Sequence, residues 1–206
     1  MTFKTEQEAF WAGDFGTEYI KRNHGDSLLA SNLNFFAATL RGMRQVSSCI
    51  EFGANIGMNL SAIKLLHPNI DLHAIEINLE AAQQLTSIIP SANIYNTSIL
   101  DFTPERQWDL ALIKGVLIHI NPDVLPIVYD KLVASAVRYV MVAEYYNPSP
   151  VAISYRGHSD RLFKRDFAGE IMDRHPQLKL VDYGFAYHRD PNFPQDDITW
   201  FLMEKC

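Results

Sequence analysis

The run Cys49-Ile50-Glu51-Phe52-Gly53-Ala54-Asn55-Ile56-Gly57-Met58-Asn59 is followed, some twenty residues on, by Leu72-His73-Ala74-Ile75-Glu76. The first run reads as a short buried strand, a tight glycine turn and the first turn of a helix. The second reads as a buried strand ending in an acid. Strand, glycine loop, helix, strand and terminal carboxylate make the nucleotide half-site of a doubly wound sheet. Gly53 and Gly57 let backbone approach a ligand where a Cβ would clash, and Asn55 is the non-glycine residue most tolerant of a left-handed conformation. Glu76, at the carboxyl edge of its strand, is placed to accept both hydroxyl hydrogens of a ribose. The combination points to an adenosine-containing ligand.

A hydride-transfer dinucleotide site expects G-x-G-x-x-G, with room for a pyrophosphate at the helix N-terminus. This chain has E-x-G-x-N-x-G instead, with Glu51 two residues before the first glycine. A carboxylate there repels phosphates and suits a cation. S-adenosylmethionine brings an ammonium and a sulfonium. The segment resembles motif I of the class I S-adenosylmethionine-dependent methyltransferases, with Glu51 where Asp is commoner and Asn55 where Gly is commoner.

The chain has 206 residues, of which 48% are apolar and 12% aromatic, enough for one domain with a full core. No apolar stretch approaches the roughly 20 residues of a membrane span. The start, Met1-Thr2-Phe3-Lys4-Thr5-Glu6, lacks a signal peptide's apolar core, and Cys49 and Cys206 form no disulfide framework. A cytoplasmic protein is expected. The net charge of −6 disfavours nucleic acid, which wants a basic face. Oligomeric state is not legible.

Helices are expected over residues 6–22 and 26–44. Strands at 48–52, 71–75, 92–96, 108–113 and 139–143 then alternate with helices at 58–66, 79–88 and 123–135. Near-continuous apolar strands separated by helices mean a parallel sheet covered on both faces. After Glu144 a turn-rich segment runs to Phe163, then a helix at 166–174 and two strand-like runs, 178–185 and 199–204. The resemblance implies a seven-stranded, mostly parallel, Rossmann-like sheet whose last strand is antiparallel. It divides the single domain into a helical N-terminal lid (1–45), a cofactor-binding core (46–145) and a substrate-side insertion with closing strands (146–206).

In such sheets ligands sit beyond the carboxyl ends of the strands. Glu51, Gly53, Ala54, Asn55 and Gly57 would face the methionine part of the cofactor, and Ile77 and Asn78 would follow Glu76 beside the adenine. The resemblance adds Ser98 and Ile99 along the adenine edge and Lys114 flanking the methionine end.

The whole chain resembles a narrower group, the pseudaminic acid biosynthesis-associated methylases. The likeness rests on Thr5-Glu6-Gln7-Glu8-Ala9-Phe10-Trp11-Ala12-Gly13, on Lys114-Gly115-Val116-Leu117-Ile118-His119-Ile120-Asn121-Pro122 and on Ala143-Glu144-Tyr145-Tyr146-Asn147-Pro148. Tyr155-Arg156-Gly157-His158, Phe163-Lys164-Arg165-Asp166-Phe167-Ala168-Gly169-Glu170 and Asp190-Pro191-Asn192-Phe193-Pro194-Gln195-Asp196-Asp197 extend it. It implies a small-molecule acceptor, a sugar acid or aminosugar acid. Independently, residues 155–165 carry a local charge of +3. Arg156, with Tyr155 and His158, suits a carboxylate or phosphate; Arg161, Lys164 and Arg165 are open between that role and a solvated helix face.

Methyl transfer is an in-line displacement whose protein groups must position the acceptor and take its proton. His119, Tyr145 and Tyr146 are the catalytic candidates, and Glu144 is a further base. Trp11, Phe15 and Tyr19 recur at helical spacing, as core or as a lid shaped by Gly13 and Gly16, and Trp11 is a candidate to touch the acceptor. No metal-ligand spacing occurs, Asp196-Asp197 reads as a solvated loop, and no nucleophile elbow is present. The rival readings are a non-catalytic scaffold that keeps the fold and an RNA or protein methyltransferase.

Overall fold

The computed structural model describes residues 3–206; Met1 and Thr2, part of the expected lid, lie outside the described residues. Helices α1 (Glu6–Ala12), α2 (Asp14–Ile20) and α3 (Asp26–Thr39) lead into the alternating core. That core is β1 (Ser48–Phe52), α4 (Met58–Leu66), β2 (Asp71–Ile75), α5 (Leu79–Leu85), β3 (Ile94–Tyr95), β4 (Trp108–Lys114), α6 (Leu125–Ser135) and β5 (Ala136–Glu144). A small hairpin of β6 (Val151–Ala152) and β7 (Phe163–Lys164) precedes α7 (Phe167–Arg174), β8 (Leu178–Ala186) and β9 (Ile198–Lys205).

Seven strands form one sheet in the order β3-β2-β1-β4-β5-β9-β8. β1 to β5 run parallel, and β9, the last strand, runs antiparallel to β5 and β8. β1 is buried along its whole length because helices cover both faces. On one face Phe52, Ile113 and Val140 pack with Val128 of α6 and Ile171 of α7. On the other, Leu72, Leu112 and Met141 pack with Phe36 of α3 and Leu60 of α4. Strand order runs one way from β1 and the other way from β4, so the loops after these two strands diverge and open a crevice.

Several elements differ in extent from expectation; α3 ends at Thr39 rather than 44 and α5 at Leu85 rather than 88. The helical stretch expected over 6–22 is interrupted at Gly13, one of the two glycines that pointed to a shaped lid; it closes α1 and opens α2. A Cβ on Gly16 would lie 1.8 Å from the Trp11 carbonyl oxygen, so glycine is what lets these short helices cross closely. β3 has two residues rather than five, because Pro90 is followed by a 3-10 turn at Ser91–Asn93. α6 starts two residues late, after another 3-10 turn at Pro122–Val124. Among the described residues no helix is long and apolar enough to cross a membrane.

Candidate ligand-binding site

A cavity of about 740 Å³ lies at the carboxyl ends of β1, β2, β4 and β5, with Trp11, Gly16 and Tyr19 of the N-terminal helices in its wall. Its size is within the range of small-molecule sites, about 300–1,000 Å³.

The loop after β1 enters the cavity through left-handed backbone: φ is 76° at Gly53, 49° at Asn55 and 82° at Gly57. Gly53 and Ala54 donate their amides to the Ile75 carbonyl at 2.9 and 3.1 Å, fixing the loop to the end of β2. Glu76 completes the link. Its Oε2 accepts from the Asn55 amide and its Oε1 from the Asn78 amide, each at 2.7 Å. Burial raises its pKa against the pull of these amides. Asn78 caps α5 through the Ala81 amide at 3.1 Å, and its Nδ2 donates to Thr17 Oγ1 of α2 at 3.2 Å. Gly53, Ala54, Asn55, Glu76, Ile77, Asn78, Ser98, Ile99 and Lys114 all line the cavity.

Two members of the expected cofactor set do not. A Cβ on Gly57 would lie 2.7 Å from Leu85 and from Ile88, so this glycine serves its own left-handed turn and packing on the α5 side. Glu51 is fully buried behind the wall, where Oε1 accepts from Asn59 Nδ2 at 2.6 Å and Oε2 has no partner among the described residues. Burial raises its pKa to about 8. It is therefore largely protonated at neutral pH and does not supply the fixed negative charge the sequence argument gave it.

Lys114 ends β4 in the wall, 5.5 Å from the centre of the Phe35 ring. Burial lowers its pKa, with Glu51, Asp196 and Glu144 acting against that. Glu144, buried at the end of β5, accepts the Val116 and Leu117 amides at 2.9 Å each, and burial raises its pKa to about 7. It shapes the loop after β4 rather than lining the cavity.

The other half of the wall is aromatic. His119 closes the 3-10 turn Leu117–His119, with Trp11 at 4.6 Å and Tyr155 at 5.3 Å between ring centres. Its Nδ1 is 2.6 Å from the Arg161 carbonyl oxygen. A carbonyl only accepts, so Nδ1 carries the hydrogen and Nε2 is left as the acceptor. Burial lowers its pKa to about 4, leaving it neutral at physiological pH.

The basic island resolves into separate roles. Arg161 is buried on Asp160 and Glu6, Arg165 pairs with Glu170 at 2.7 Å, and the Lys164 ammonium lies 5.1 Å from the Tyr145 ring centre. Arg156 alone of the four is in the cavity wall, its guanidinium over the rings of Tyr155 and Phe15 at 5.4 and 5.9 Å.

Tyr145 lines the cavity but Tyr146 does not. Successive residues of an extended chain point to opposite sides, so Tyr146 is 42% exposed and packs on Phe201 at 6.1 Å. His158 is also outside: it closes a tight turn with Tyr155 and meets the edge of Phe10 at 5.3 Å.

Two acids in the wall were not singled out from sequence as site residues. Glu8 bonds Ser98 Oγ and takes the Thr5 amide at 2.8 Å, completing a capping box with Thr5. The Thr5-x-x-Glu8 spacing is that box's sequence signature. Asp196 lies exposed in a loop, as expected, and that loop also borders the cavity through tertiary contacts that no local pattern reveals.

No protein-family model matches the chain, and no curated protein does. Solved structures do. A 1,6-didemethyltoxoflavin-N1-methyltransferase from Burkholderia thailandensis, bound to 1,6-didemethyltoxoflavin and S-adenosylhomocysteine, superposes with TM-score 0.71 at 14% identity, covering 100% of this chain and 91% of its own. A Synechocystis magnesium protoporphyrin IX methyltransferase with bound S-adenosylmethionine gives 0.69 at 10% identity, with both chains covered completely. A plantazolicin methyltransferase in complex with S-adenosylhomocysteine gives 0.64 at 13% identity, over 97% of this chain and 93% of that one. The chain has the class I methyltransferase fold.

Proposed function

We propose that the protein is an S-adenosylmethionine-dependent methyltransferase acting on a small, polar, anionic metabolite of the sugar-acid or aminosugar type by direct in-line methyl transfer. One observation carries the reading. A single cavity has Glu76 and a left-handed glycine loop at one end, and neutral His119 with Arg156 at the other. The cofactors named with the structural neighbours agree with it. The acceptor class draws on Arg156 and on the resemblance to the pseudaminic acid biosynthesis-associated methylases.

The residues fit the cofactor. Each Glu76 oxygen accepts one amide and keeps lone-pair capacity for a ribose hydroxyl. Ile77, Asn78, Ser98 and Ile99 would hold the adenine side, and Gly53, Ala54, Asn55 and Lys114 the methionine side. Bound S-adenosylmethionine supplies an electrophilic methyl on a sulfonium. Trp11 and Tyr155 restrict the acceptor's orientation and exclude water, Arg156 holds its anion, and Tyr145 offers a hydroxyl. His119 Nε2 accepts a hydrogen bond from the nucleophilic hydroxyl or neutral amine and takes its proton as the methyl is transferred, with Nδ1 held on the Arg161 carbonyl.

Isothermal titration with S-adenosylmethionine and S-adenosylhomocysteine tests the reading; absence of binding of either at millimolar concentration would sink it. Mass spectrometry of metabolites from cells with and without the gene then identifies the acceptor as a pair differing by one methyl.

A further inference from the structure

Asp196 reaches the cavity wall from the loop between β8 and β9, where, among the described residues, Lys114 is the one member of the cofactor half that it acts on. Its two neighbours are anchored. Gln195 is buried and donates from Nε2 to Asn32 Oδ1 of α3 at 2.9 Å. Asp197 Oδ1 accepts from the His188 amide at 3.1 Å and lies 2.7 Å from His188 Nδ1. A residue between two such anchors is held at the wall rather than left to wander. The Asp196 carboxylate faces the Tyr145 hydroxyl, and the Tyr19 hydroxyl lies in the fields of Asp196, Tyr155 and Arg156. Opposite charges thus share one wall with three tyrosine hydroxyls. Lys114, held for the methionine end of the cofactor, also lies in the field of Asp196, so the S-adenosylhomocysteine affinity of Asp196→Asn is what separates a cofactor role from the subsite.

Position separates this pair from the ribose end. Glu76 follows β2, on one side of the β1–β4 switch; Arg156 and Asp196 come from segments after β5 and before β9, on the other. A purely anionic acceptor on Arg156 would meet repulsion from Asp196. An acceptor with a second, positive group satisfies both.

We propose that Asp196 and Arg156 form a subsite for a zwitterionic acceptor, Asp196 taking an ammonium and Arg156 a carboxylate, with the hydroxyls of Tyr19, Tyr145 and Tyr155 between them. This rests on the methyltransferase reading and, within its sugar-acid or aminosugar class, replaces a purely anionic acceptor with one that carries both charges. An ammonium is a compact donor of three hydrogens, and a guanidinium binds a carboxylate through two parallel hydrogen bonds.

The test titrates the protein loaded with S-adenosylhomocysteine against three probes: glucosaminuronic acid, which carries both charges, glucuronic acid, which lacks the amine, and glucosamine, which lacks the carboxylate. Glucosaminuronic acid is expected to bind about tenfold more tightly than either single-charge probe, the scale of one charge-assisted contact. Asp196→Asn should erase its advantage over glucuronic acid, and Arg156→Lys should reduce its advantage over glucosamine. Both variants should keep S-adenosylhomocysteine affinity within about twofold of wild type, a difference well below one hydrogen bond. Equal binding of the three probes, or no binding of glucosaminuronic acid by a protein that holds S-adenosylhomocysteine, would overturn the subsite alone. Loss of S-adenosylhomocysteine affinity in Asp196→Asn would assign Asp196 to the cofactor and overturn it too. A wild-type protein that does not bind S-adenosylhomocysteine would overturn the methyltransferase reading and the subsite together.

Discussion

Glu76 and His119 are each held in one chemical arrangement by backbone groups. For Glu76 the two amides that order its carboxylate also tie the glycine loop to α5, so loop geometry and the proposed ribose contact share one side chain. Glu76→Gln replaces one acceptor oxygen with an NH₂ that must face an amide donor. Hydrogen bonds to charged groups contribute about 1.5–3 kcal/mol, so S-adenosylhomocysteine affinity should fall about 10- to 100-fold. Calorimetric affinity unchanged from wild type would put the ribose elsewhere. For His119 the Arg161 carbonyl fixes the Nδ1–H tautomer, and burial disfavours the imidazolium. The ring should stay neutral as pH is lowered from 8 to 5 and take its second proton only near pH 4. Heteronuclear NMR of the imidazole reads this directly, and a midpoint at the ordinary value of 6.5 would mean that the ring is solvated rather than enclosed.

At the scale of elements, α1 and α2 are the part the rest of the fold least requires, held by a few polar contacts beside the packing of Trp11 on His119 and of Ile20 on Ile56 and Ala81. Asn78 ties α2 to the start of α5, Glu8 ties α1 to Ser98, and Gln7 donates to the Asp160 carbonyl at 3.0 Å. Their crossing depends on Gly16, where a methyl would strike backbone. Gly16→Ala should therefore cost about 1–3 kcal/mol of local packing. Amide exchange should accelerate across residues 6–20 while β1 and β4 stay protected, and S-adenosylhomocysteine should bind more weakly. Uniform exchange across the chain would show that the helices are integral to the core instead. The strands were legible because apolar runs bounded by glycine, proline and charge are local signals; 48–52 and 71–75 were read to the residue. The interruption at Gly13 was legible too, whereas the two-residue β3 was not, since residues that read as strand go into the 3-10 turn after Pro90. The same division holds for the site. Glu76 and the Gly53–Asn55 turn announce themselves by spacing, whereas Asp196 follows Gln195, whose bond to Asn32 spans 163 residues.

Over the whole molecule, buried ionisable groups set how stability responds to pH. Glu51 has its pKa raised by burial from 4.5 to about 8. The folded state holds that proton more tightly than the unfolded chain, so the group's contribution is complete below pH 4.5 and is lost as pH rises through 8. Glu144, raised to about 7, acts in the same direction. His119, lowered from 6.5 to about 4, acts in the opposite one: its contribution is present above 6.5 and is lost as pH falls through 4. Between pH 4.5 and 6.5 the two carboxyl slopes outweigh the single imidazole slope, so the joint contribution of these three groups should peak at about pH 4 and decline above it. Glu51→Gln isolates one limb, because its amide oxygen can still accept from Asn59 while the titrating proton is gone. The variant's melting temperature should fall less than the wild type's between pH 5 and 8, and the two should respond alike below pH 4.5. Parallel melting curves across the whole range would mean that Glu51 ionises as an ordinary carboxylate, and the glycine loop would then rest on a charge after all.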